Sequence, residues 1–284
     1  MKKLLTTILF VLSMSANADD IKIWASASPQ ETLFTPYLNI PIDVRYRPAN
    51  DGDVAIKEAL EDKNSFLIRN NTSILVAQKY RKNFINPYEV MEPIAIIGDH
   101  AYVVAIANDN PANSIEELAK NNKRLKIGGS SSIGTCAVAG KYIEKEYGVK
   151  VDYIFYKPGV QSLADLIHGD IDMICRSGTL IASDIEETHK VKPVLKFTNS
   201  NDGILKNIPI GIPVNNYTVL FANKSVDPVI KKTLLTALTD QSYIDSIKKY
   251  KNQYLNFYTI EDLSILQDET SKYSSYLNHI NDNF

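Results

Sequence analysis

The segment from Gly128 to Thr135 reads Gly-Gly-Ser-Ser-Ser-Ile-Gly-Thr, and its residue types suit anion binding. Leu125-Lys126-Ile127 before it has the character of a short strand, and the run after it is helical to Tyr147, stopping at Gly148. In a parallel sheet a strand-to-helix turn sits at the carboxyl end of the strands, where ligands bind. Free amides at a helix start attract anions. Ser130, Ser131, Ser132 and Thr135 add hydroxyl donors, and glycines let a backbone approach a ligand closely. A plain serine-rich turn is the competing reading. Two enzyme motifs fall short. A phosphate-binding P-loop needs Lys after its last Gly, and Gly134 is followed by Thr135 and Cys136. A serine nucleophile elbow needs Gly-x-Ser-x-Gly, and the second Gly position holds Ser132.

The remaining reactive residues are sparse. Cys136 and Cys175 allow a disulfide or two buried thiols. The four histidines (His100, His168, His189, His279) show no metal spacing, so neither a metal nor a cofactor is expected. Asp165 and Asp172 read as structural carboxylates, one in a short helix and one at a strand start.

The N-terminus carries an address. Met1, Lys2 and Lys3 form a positive head, Leu4 to Met14 an uncharged and largely apolar run, and Ser15-Ala16-Asn17-Ala18 a small-x-small cleavage site. That order is a secretory signal peptide, cleaved after Ala18. The apolar run is too short for a bilayer span, which takes about 20 residues. Export to the periplasm permits a disulfide. The mature chain is mildly acidic, which argues against nucleic acid as a partner. A cleft can still be locally positive on an acidic protein.

Strands and helices alternate along the chain, which implies an α/β architecture. Strands are expected at Ile21–Trp24, Ile42–Tyr46, Ser65–Ile68, Tyr102–Ile106, Leu125–Ile127, Val151–Phe155 and Ile171–Cys175. Helices are expected from Asp53, from the capping box Ser114-Ile115-Glu116-Glu117, after the Gly/Ser segment and from Ser162 to His168. The strand–helix–strand–helix–strand block implies right-handed crossovers and a mostly parallel sheet. Three packing helices close the chain, beginning at Asp227-Pro228, near Ser242 and at Thr259.

The stretch SSSIGT followed by YKPGVQSLADLIHGDIDMIC resembles the substrate-binding receptors of tripartite tricarboxylate transporters. PANSIEELAKNNKRLKIG is similar to that family's Pro-Ala-x-Ser-x-x-Glu-Leu segment, and Arg47-Pro48 with Gly52 and DVAIKEAL to its Arg-Pro-Gly-x-Gly-Gly helix start. The resemblance implies a type II periplasmic binding fold: two domains, each a mostly parallel sheet flanked by helices, joined by two crossover strands. The first domain would comprise residues 19–106 plus 218–284 and the second residues 107–217. It also implies a cleft whose ligand-facing loops include Ser26 and Ser28 after the first strand and Asn71 and Thr72 after the third. Tyr156 ends a strand and would touch ligand or line a hinge. Arg176 stands where the family often has Asp or Asn, and it would grip a carboxylate or form a surface or interdomain salt bridge. The first turn, ASASPQET, and the Arg-Pro turn depart from the family pattern, so the ligand's identity stays open.

The function expected is non-enzymatic. A monomeric periplasmic protein would capture a small organic anion, a carboxylate, and deliver it to membrane transporter subunits. A ligand-sensing subunit for a receptor kinase and a hydrolase using Ser130, Ser131 or Ser132 are the alternatives.

Overall fold

The computed structural model describes residues 21–25, 34–47, 52–130, 134–156, 161–201, 203–250, 255–261 and 263–280. Its strands, numbered in chain order, form two sheets. The first contains β1 (Ile21–Ala25), β2 (Ile42–Tyr46), β3 (Ser65–Asn70), β4 (Met91–His100), β10 (Asn216–Asn223) and β11 (Leu255–Glu261), ordered β11-β4-β10-β3-β1-β2. The second contains β5 (Tyr102–Ala107), β6 (Arg124–Gly129), β7 (Lys150–Phe155), β8 (Met173–Ser177) and β9 (Val191–Phe197), ordered β7-β6-β8-β5-β9. Helices α1 (Asp53–Glu61), α2 (Asn71–Tyr80), α3 (Pro87–Val90), α8 (Pro228–Thr239), α9 (Gln241–Tyr250) and α10 (Ile265–Ile280) belong to the first half. Helices α4 (Ile115–Asn121), α5 (Thr135–Tyr147), α6 (Gln161–His168) and α7 (Gly178–Thr188) belong to the second.

Both sheets are mixed, which corrects the expectation of mostly parallel ones. β1 pairs in parallel with β2 and β3, and β6 with β7 and β8. β10 runs antiparallel to β3 and β4, and β5 antiparallel to β8 and β9. A parallel neighbour needs a crossover helix to bring the chain back. β5 and β10 arrive from the opposite sheet without one, so each runs against the parallel core it joins.

The boundary between the halves also moves. The sequence places the switch after about Ile106, but β5 pairs through Val103, Val104 and Ala105 with Arg176, Cys175 and Ile174. Tyr102–Ile106 therefore belongs to the second sheet, and only Ala101 separates β4 from β5. Two apolar strands with no turn residue between them leave no sequence signal for the change of sheet. The return falls where β10 begins, at Asn216. The last helix differs as well: Leu255–Glu261 is a strand and α10 starts at Ile265, not at Thr259. The β-branched and aromatic run Phe257-Tyr258-Thr259-Ile260 suits a strand.

Local signals hold where they are strongest. Ser114 Oγ accepts the Glu117 amide at 3.1 Å to start α4, and Asp227 Oδ1 accepts the Val229 amide at 2.7 Å to start α8. Gly148 closes α5 in the left-handed region at φ 63°. One buried cluster crosses between the halves. It joins Leu75 and Val76 of α2, Val138, Ala139 and Ile143 of α5, and Tyr273, Leu277 and Ile280 of α10 to the inner face of the second sheet.

The two cysteines are bridged. Cys136 in the first turn of α5 is bonded to Cys175 of β8, with Cα atoms 5.4 Å apart and a sequence separation of 39. In the chain-entropy picture a loop of this length stabilises by about 4 kcal/mol. Alkylation of the unreduced protein is expected to leave its mass unchanged, and alkylation after reduction to add two groups. The Cys136→Ser/Cys175→Ser chain should unfold at clearly lower urea concentration.

Candidate functional site

The carboxyl ends of the parallel strands in the two sheets bring their following helices to one junction. β3 passes directly into α2 at Asn70–Asn71, and β6 leads through Ser130 to α5 at Thr135. Asn216, at the start of β10, meets both. Its Oδ1 accepts from Thr72 Oγ1 and from Thr135 Oγ1, the latter at 3.0 Å, and the two threonine oxygens are 3.2 Å apart. Asn71 Oδ1 accepts the backbone amides of Thr72 and Tyr217, each at 2.8 Å. Thr72 and Asn216 are fully buried, and Asn71 and Thr135 nearly so.

The polarity of this junction is one-sided. Among the described residues, Asn71 Nδ2 and Asn216 Nδ2 are buried with no hydrogen-bond partner. Both are donors. A buried amide without an acceptor is costly, which is why such groups mark places where a partner arrives. The helices that start here are ten and thirteen residues long; the Asn70 side chain does not cap the first, and the N-cap of the second, Gly134, has no side chain to do so. Two helix starts therefore add partial positive charge. The arrangement suits an anion. Among the described residues no three His, Cys, Asp or Glu side chains gather as a metal site would need.

The other expected contacts divide. Ser26, Ser28, Ser131 and Ser132 lie outside the described residues, and Ser130 is exposed beside them. Tyr156 is buried, and its hydroxyl donates to Asp165 Oδ2 at 2.7 Å. Burial and that carboxylate push the phenol up to about 12. Arg176 is buried too, and its Nη1 lies 2.5 Å from Asp184 Oδ2. A salt bridge is present, but it is buried and within one half, where the sequence suggested a surface or interdomain one. Burial raises the Asp184 carboxyl above its usual range despite the adjacent guanidinium. The space beside Gly128 and Gly129 is filled by the protein itself: a Cβ on Gly129 would sit 2.2 Å from the Tyr153 hydroxyl, and one on Gly128 2.9 Å from the Tyr156 ring. These glycines admit tyrosines, where the sequence suggested a ligand.

Sequence reasoning missed Asn216 and the residues behind it. Thr218 Oγ1 donates to Asn70 Oδ1 at 3.3 Å and pairs with His100 Nε2 at 2.6 Å. The available signal was the polar pair Asn215-Asn216 set directly before the apolar run Tyr217–Ala222.

Comparison with known proteins follows from this geometry. No protein-family profile and no curated protein matches the chain by sequence. Solved structures match along most of it. A TctC solute-binding protein from Polaromonas aligns with TM-score 0.65 and 17% identity over 90% of this chain and 96% of its own. The Rhodopseudomonas palustris protein Rpa4515, solved with adipate, aligns with TM-score 0.73 and 14% identity over 92% and 95%. MatC from Rhodopseudomonas palustris, solved with malate, aligns with TM-score 0.70 and 13% identity over 90% and 98%. The fold is that of the two-domain periplasmic solute-binding proteins.

His100 gives the junction a pH signature. It is buried, and burial lowers its pKa to about 4. An unfolded histidine titrates near 6.5. The unfolded chain thus binds the proton first, so stability is full above pH 6.5 and drains as pH falls towards 4, by about 3 kcal/mol. Urea midpoints measured between pH 7 and 4.5 should fall for the wild type, and the His100 share of that slope should vanish in His100→Gln.

Proposed function

We propose that this protein binds a small carboxylate between its two halves and delivers it to a membrane transporter. The observation that carries the reading is the donor-rich junction: among the described residues Asn71 Nδ2 and Asn216 Nδ2 lack acceptors, beside two helix starts that no N-cap side chain bonds. A carboxylate is acceptor-only when ionised, so it complements such a site, and hydrogen bonds to it are charge-assisted. The adipate and malate in two structural neighbours point to the same ligand class.

In this reading Asn71, Thr72, Thr135 and Asn216 form the floor of the site. Ser130, Ser131 and Ser132, with Ser26 and Ser28, supply further hydroxyl contacts to the ligand. Arg176 supports the end of β8 through Asp184 and leaves recognition to neutral donors. A micromolar affinity corresponds to about −8 kcal/mol. Charge-assisted hydrogen bonds contribute about 1.5–3 kcal/mol each, so four or five suffice after the cost of closing the halves. No bond in the ligand has to be made or broken. Residues 1–18 act as the export leader, cleaved after Ala18, and the mature protein works as a monomer in the periplasm.

A thermal-shift screen of mono-, di- and tricarboxylates, malate and adipate among them, tests the reading. Ligand at a hundredfold excess over its dissociation constant stabilises the folded state by about 2.7 kcal/mol. A rise of several degrees with at least one acid is expected. No shift with any of them would remove the carboxylate reading.

A further inference from the structure

The buried face of α10 is Leu266, Glu269, Tyr273, Leu277 and Ile280. Four of these pack into apolar clusters, and the fifth is a carboxylate only 7% exposed. A buried carboxylate is unfavourable unless it is paired and hydrogen-bonded. Glu269 Oε2 accepts the backbone amide of Asn215 at 2.9 Å, while Oε1 meets Lys272 Nζ at 3.2 Å. Lys272 is half-exposed and would find Asp268 at the surface without Glu269. The inward oxygen therefore serves Asn215, the residue before Asn216. Asn215 is held on its other sides as well: its Nδ2 donates to Tyr217 Oη at 3.2 Å, and its Oδ1 accepts the Asn199 amide at 3.4 Å.

One turn further along the same face Tyr273 is buried, packed in the cluster that α10 shares with α5, and its hydroxyl has no hydrogen-bond partner among the described residues. The carboxyl end of α10 is tied to both halves. Lys79 of α2 donates to Leu277 O at 2.6 Å, and Lys145 of α5 donates to His279 O. Two lysines from different halves thus cap the carbonyls of one helix, where cations are favoured. A helix serving only to cover a sheet needs none of these contacts.

We propose that α10 sets the geometry of the carboxylate site, with Glu269 as the positioning residue that acts through Asn215–Asn216. The proposal rests on the carboxylate reading of the junction. Its structural part is independent of any ligand, because it states which backbone segments α10 holds.

The test uses the full mature chain with Glu269→Ala, Glu269→Gln and Tyr273→Phe. Amide hydrogen exchange reports on the segments, and calorimetry with malate and with adipate reports on binding. Glu269→Ala should speed exchange at Asn215–Tyr217 by about tenfold or more, with the far strands β1 and β2 unchanged. It should weaken the binding of malate or adipate by about tenfold. Glu269→Gln keeps an acceptor for the Asn215 amide and should stay within about threefold on both readouts. Tyr273→Phe removes a hydroxyl that has no partner among the described residues and should leave local exchange and affinity as in the wild type. Wild-type local exchange in Glu269→Ala overturns the proposal, as does faster exchange spread evenly over the chain or unchanged affinity; if Glu269→Ala does not fold, a change of more than about threefold in Glu269→Gln on either readout overturns it. If the wild type binds neither acid, the carboxylate reading falls, and locally faster exchange in Glu269→Ala still upholds the role of α10 in holding the junction.

Discussion

A single amide oxygen, Asn216 Oδ1, accepts hydrogen bonds from Thr72 and Thr135, whose helices follow strands of different sheets. The contact is buried, so water cannot substitute for either donor. Each threonine stands at the start of a helix fixed by its own core. Each core is therefore placed relative to the other by this contact together with the apolar packing of α2, α5 and α10. The disulfide from Cys136 to Cys175 reinforces one side, because it fastens the first turn of α5 to the middle of the second sheet. With α2 and α5 held this way, the two helix starts meet at Asn216.

The recognition chemistry that follows differs from an arginine clamp. Arg176 is present at the expected strand end but is neutralised by Asp184. Neutral donors and helix starts remain, a set that stabilises negative charge without placing a counter-charge in the site. Such a site discriminates by geometry, since every donor has to find a lone pair. It also tolerates an acidic protein overall, because the relevant field is local.

The legible parts of the sequence were those written in local chemistry. The Ser114 capping box, the Asp227 cap and the Gly148 stop each encode a hydrogen bond or backbone angle within a few residues, and each appears in the structure. The Gly/Ser segment had pointed to Thr135 and the family resemblance to Asn71 and Thr72, residues that meet around Asn216. Non-local choices were not legible. An apolar strand such as Tyr102–Ala107 carries no mark of which sheet it joins, and the single residue Ala101 gives no turn signal. Asn216 became visible only when a strand from late in the chain was laid between β3 and β4. The glycines at 128 and 129 misled for the same reason: the tyrosines that fill their space come from elsewhere in the sequence.

The central claim is that this junction selects negative charge. Calorimetric titration of the wild-type protein with malate and adipate, each against its diamide of the same shape, tests it most directly. Charge-assisted hydrogen bonds are roughly twice as strong as neutral ones. The acids should therefore bind at least about tenfold more tightly than the diamides. Equal affinity for an acid and its diamide would contradict the account, because a donor-rich site has no reason to accept both alike.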